Sequence, residues 1–72
     1  MNQYHVGDYL KIEDIISGSV EYATVISLDT PLAGVHAFTV ADELDEKGNV
    51  TADSQICYVF PENCRITILE RN

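Results

Sequence analysis

The sequence predicts an all-β fold, a small antiparallel domain of five strands. Three observations carry that expectation. Residues 19–28 form an unbroken run rich in strand-forming side chains, closed by Gly18 on one side and Asp29-Thr30-Pro31 on the other. Four shorter apolar runs, near residues 9–14, 35–41, 55–60 and 64–69, are separated by Gly, Pro, Asn and Asp turn signals. The polar stretch 42–49 has room for one helical turn before Gly48 and Asn49 stop it.

The first strand follows the Gly7-Asp8 turn. It alternates Leu10 and Ile12 on one face with Tyr9, Lys11 and Glu13 on the other. Ile15-Ile16-Ser17-Gly18 either continues it past a bend or forms a short loop with both isoleucines tucked inward. The central second strand places Val20, Tyr22, Thr24, Ile26 and Leu28 on one parity and Ala23 and Val25 on the other, so it reads as apolar on both faces, with the Tyr22–Ile26 parity inward. Pro31 and Gly34 reverse the chain. The third strand, Val35 to Ala41, presents His36, Phe38 and Val40 together, and the bulkier Phe38 and Val40 mark its core side. Residues 42–49 are a loop or hairpin tip, which Val50 to Ser54 extends. The fourth strand, Gln55 to Phe60, breaks at Pro61-Glu62-Asn63, and the fifth resumes at Cys64 with Ile66 and Ile68 inward.

Seventy-two residues allow one domain, 1–72, with one small core, and no separate catalytic domain. At 46% hydrophobic and 22% charged, the composition is globular rather than disordered, so the chain is expected to fold alone as a monomer or as a small homo-oligomer. The N-terminal residues lack the basic and apolar regions of a signal peptide, and no run approaches the ~20 apolar residues of a membrane span. A cytoplasmic protein is expected. Cys57 and Cys64, seven apart around the Pro-Glu-Asn break, are expected to be reduced, buried thiols. A disulfide across the break is the alternative.

Five short strands, a long second strand, a Gly-Asp turn into the first and a one-turn break at Phe60-Pro61-Glu62-Asn63-Cys64 resemble the SH3-like small barrel. The resemblance implies a five-stranded antiparallel barrel with a single 3-10 turn before the last strand; an OB-like or another small β-barrel or sandwich is the alternative. It does not extend to proline-peptide recognition, because the chain has no Trp and its Tyr4, Tyr9, Tyr22 and Tyr58 are scattered.

No pattern carries catalysis. His5, His36, Cys57 and Cys64 lack the close spacing of a zinc site, and no Ser-His-Asp set, phosphate loop or calcium loop is present. With twelve carboxylates, close acidic pairs such as Glu13-Asp14 arise without any catalytic design. No cofactor and no enzyme activity are expected.

Charge is the lead to function. Four Lys or Arg against twelve Asp or Glu give a formal net charge of −8, which repels nucleic-acid phosphates and anionic lipid, so neither is expected as a direct partner. Asp42, Glu43, Asp45 and Glu46 put four carboxylates in five positions, and Glu13, Asp14 and Glu21 extend the row if the fold brings the two loops to one side. The expectation is an acidic binding protein that occupies a basic, nucleic-acid-binding type of site on a partner protein. In size and charge it has the character of small phage-encoded inhibitors, some of which mimic DNA. The alternative is an SH3-like accessory module that assembles a complex through strand edges or loops, its charge serving solubility.

Overall fold

The computed structural model describes residues 4–29 and 37–72. The turn expected over 30–34, the start of the third strand and His36 lie outside them. Strands β1 (Tyr9–Asp14), β2 (Val20–Ser27), β3 (Phe38–Ala41), β4 (Ile56–Val59) and β5 (Cys64–Glu70) form one antiparallel sheet in the order β4-β3-β2-β1-β5. A single 3-10 turn, η1 (Pro61–Asn63), precedes β5, as expected from the Pro-Glu-Asn break. No ladder joins β4 to β5 among the described residues, and no helix there is long and apolar enough to cross a membrane.

The core consists of Leu10 and Ile12 of β1, Ala23 and Val25 of β2, Phe38 and Val40 of β3, and Val59 of β4. Tyr4, Leu28, Cys64 and Ile66 pack around it, and the Tyr4 and Phe38 rings stand 5.1 Å apart, tilted. The alternations of β1 and β3 therefore face as expected.

Strand β2 does not. Val20 and Tyr22 are exposed, and the smaller Ala23 and Val25 turn inward. Pairing with β1 sets this phase, since core-facing Leu10 opposes Ala23, and a bulge follows. Thr24 opposes Ala41 and Val25 opposes Val40, but Ser27 opposes Thr39, so Ile26 is an extra residue without a partner in the β2–β3 ladder. The inward phase slips by one there, and Leu28 joins the core beside Val25 although simple alternation separates them.

Two other expectations are corrected. Residues 15–18 are a turn whose isoleucines project outward, Ile15 at 65% and Ile16 at 83% exposure. The turn is shaped by Asp14, whose Oδ1 accepts the N–H groups of Ile16 and Ser17, so the chain reverses before either isoleucine can reach the core. On β5, Ile66 leans on the core while Ile68 lies at its rim, next to a second irregularity where Leu69 is extra between Ile68 and Glu70 in the pairing with β1.

Candidate functional site: an acidic mouth at one end of the sheet

Residues directly opposite in an antiparallel ladder project to the same face. The register pairs Leu10 with Ala23, Ile12 with Glu21, and Asp14 with Cys64. It likewise pairs Val25 with Val40, and Val40 with Cys57. The core-facing stripe of β1 therefore runs Leu10, Ile12, Asp14. That of β2, read toward the same end, runs Val25, Ala23, Glu21, and that of β3 runs Phe38, Val40 and then Asp42 just beyond the strand. On three neighbouring strands the apolar stripe ends in a carboxylate toward the same end of the sheet.

These ends border an open mouth on the core-facing side of the sheet. Two adjoining cavities of about 270 Å³ each open there, sharing Glu21 and Cys57. Asp14 and Glu21 line the first over Ile12 and Val59, and Glu21 and Asp42 line the second over Ala23 and Val40. None of the four basic side chains lines either cavity. Lys11 pairs with Glu13 at 3.8 Å on the outer face, where Arg65 stands opposite Glu13 in the register. Arg71 pairs with Asp8 at the far end, and Lys47 lines a separate hollow beside Ile26.

The structure thus places Asp14 with Glu21 at one cavity and Glu21 with Asp42 at the next, and leaves Glu13 on the opposite face. Within the 42–49 loop the acidic residues have unlike roles. Asp42 Oδ1 accepts the Gln55 N–H at 2.7 Å, and Asp45 Oδ1 accepts those of Lys47 and Asn49 at 2.9 and 2.8 Å, so both carboxylates help build the loop. Glu43 and Glu46 are exposed, with the Glu43 backbone carbonyl accepting the Ser54 hydroxyl.

At the mouth, hydrogen bonds from the Ser17 and Ile16 N–H groups hold the Asp14 carboxyl below its ordinary pKa, so it is ionised at neutral pH. Burial, with the Asp14 and Glu21 charges nearby, pushes the Cys64 thiol up. A protonated thiol beside carboxylates is a poor nucleophile. Both cysteines are free. Cys64 is half-buried, but Cys57 is exposed, contrary to expectation, because its inward-pointing position falls in the open mouth rather than the closed core. Among the described residues no group of three or more His, Cys, Asp or Glu is placed to hold a metal ion.

Sequence reasoning missed Cys57, Gln55 and Cys64 as mouth residues. The signal was present in the parity of each strand, but only the register aligns the strand ends. No family model matches the chain, and no curated protein or solved structure shows significant similarity to it.

Proposed function

We propose that this protein is a non-enzymatic acidic binding protein of the cytoplasm that occupies a basic site on a partner protein, in the manner of a small phage-encoded inhibitor or DNA mimic. The observation that carries the reading is the row of Asp14, Glu21 and Asp42, at the ends of three strands, along two adjoining cavities that no Lys or Arg lines. A surface that carries several carboxylates and no Lys or Arg is complementary to a basic partner surface. A net charge of −8 adds long-range steering toward such a surface.

Replacing Asp14 and Asp42 by Asn and Glu21 by Gln removes three charges and leaves a carbonyl oxygen to accept the bonds that the two Oδ1 atoms accept now. The parent, immobilised in lysate of its host, is expected to retain a nucleic-acid-binding protein that elutes with salt, and the neutral variant is expected to bind that protein at least about tenfold more weakly, ~1.4 kcal/mol. Equal retention by the two proteins would reject the reading.

The accessory-module alternative is favoured by a different observation. Strand β4 is an edge strand with Ile56 and Tyr58 half exposed. The strand order and the η1 turn also support the SH3-like comparison. A captured partner that resists salt would support that alternative.

A further inference from the structure

The two edges of the sheet are not alike. Strand β5 is protected in the way exposed edges commonly are, with Arg65 and Glu70 along it and an irregularity at Leu69. Strand β4, Ile56-Cys57-Tyr58-Val59, carries no charge, no proline and no bulge. Among the described residues it pairs only with β3, so alternate backbone groups on its other side point away from the ladder.

That bare edge borders the acidic mouth. Cys57 to Phe60 form one bank, and Asp14, Ser19 and Glu21 of the β1–β2 hairpin form the other. A strand lying along β4 projects every second side chain to the inward face, the face of Cys57 and Val59. From there a long aliphatic stem crosses the apolar floor of Ile12 and Val59, and its end reaches the rim carboxylates. Arg and Lys combine those two properties. A second copy of this chain does not: its β4 brings no cation, so pairing β4 with β4 would leave three carboxylates unneutralised.

We propose that the β4 edge accepts an extended segment of a partner protein as a sixth strand, with alternate Arg or Lys side chains entering the mouth toward Asp14, Glu21 and Asp42. The inference rests on the basic-partner reading above and specifies the form in which the partner presents its charge. Backbone pairing to β4 supplies orientation, and the side-chain alternation supplies selectivity.

Two peptides of identical composition and charge test it: a blocked hexapeptide alternating Arg and Thr, and a blocked isomer with three Arg followed by three Thr. Amide shifts and hydrogen exchange on the full chain are the readouts. The alternating peptide is expected to bind saturably, to slow exchange at amides of residues 56–60, and to bind at least tenfold more tightly than its isomer. Glu21→Gln, which disturbs no hydrogen bond of the described residues, and the triple variant are both expected to weaken it. If both isomers bind alike and the triple variant weakens both, the strand-addition inference is overturned while the basic-partner reading stands. If neither binds, or β4 protection appears only through self-association, the inference is overturned, and salt-labile capture from lysate still decides the broader reading separately.

Discussion

Two aspartates bracket the same core-facing stripe of β1, Asp8 before Leu10 and Asp14 after Ile12, and their surroundings are opposite. Asp8 is fully buried. Its carboxylate accepts the His5 N–H at 2.9 Å, the Asn72 N–H at 3.1 Å and the Arg71 guanidinium at 3.3 Å. Its backbone carbonyl accepts the Val25 N–H, while Gly7 donates to the Val25 carbonyl, so this end of the sheet is closed on both sides of the chain. Asp14 organises only its local turn and lines a mouth shared with Glu21 and Asp42. One carboxylate is neutralised and serves the fold. The other belongs to a group of carboxylates beside cavities that no Lys or Arg lines. Net charge alone says nothing about this division, because both residues count equally toward it.

The strongest way to break the contrast is to add an unpaired charge at the closed end. Val25 is 1% exposed, and Val25→Asp buries a carboxylate with no cation assigned to it. That costs several kcal/mol, against the roughly 4–11 kcal/mol that holds a domain of this length together. The variant is expected to lack a cooperative melt. Ile26→Asp, one residue on but at the bulge, is expected to fold, because Ile26 is half-buried beside Lys47 in an open hollow. Circular-dichroism melts of the pair check both. A folded Val25→Asp with an unfolded Ile26→Asp would reverse the inward face assigned to β2.

The next largest effect is at Asp8 itself. The His5 N–H chiefly, with the Asn72 N–H and Arg71, holds its pKa below the ordinary 3.8 despite the opposing effect of burial. A folded-state pKa below the unfolded one contributes stability that is complete above about pH 4 to 5 and is lost as pH falls through the lowered folded value. Asp8→Asn is therefore expected to lower the melting temperature at pH 7 more than neutralising any of the mouth carboxylates. It should also flatten the fall in melting temperature between pH 4 and pH 2. The shifted Asp14 makes a parallel contribution in the same window, so some slope remains. A profile unchanged by Asp8→Asn would place the acid sensitivity elsewhere.

Much of the fold was legible in the sequence because local pattern and tertiary role agree. Leu10 and Ile12, Phe38 and Val40, and the Pro61–Asn63 turn all fall where alternation and proline punctuation put them. Strand β2 was misread because its bulkier parity, Val20 and Tyr22, faces out where pairing with β1 turns Ala23 inward, and the bulge at Ile26 that later shifts the phase has no Gly to mark it. The acidic mouth was half legible. Asp14, Glu21 and Asp42 were among the seven candidates, but which of the seven converge depends on register between strands up to 28 residues apart in the chain, counting from Asp14 to Asp42. The Asp8 clamp was not legible, since its partners His5 and Asn72 lie three and 64 residues away and nothing in a Gly-Asp turn announces the second.

The smallest predicted effect isolates that long-range part of the clamp. Gly7 and Gly18 both adopt positive φ, at 98° and 78°, so alanine at either position meets the left-handed penalty of about 1–2 kcal/mol. Their surroundings differ. At Gly18, in the turn of the open end, an added Cβ meets nothing within 4 Å. At Gly7, at the closed end, it falls well inside van der Waals contact distance of the Asn72 side chain, which donates to the Val6 carbonyl at 3.2 Å. Moving Asn72 aside surrenders that hydrogen bond, ~1 kcal/mol, and loosens the neighbouring Asn72 N–H contact to Asp8. Gly7→Ala should therefore destabilise more than Gly18→Ala by about 1 kcal/mol or more, read as a lower urea midpoint at unchanged slope. Deleting the Asn72 side chain removes the obstacle, so in an Asn72→Ala background the two glycine substitutions should cost nearly the same. If Gly7→Ala still costs more there, its excess comes from the turn backbone, and the closed end is not held by its contact with Asn72.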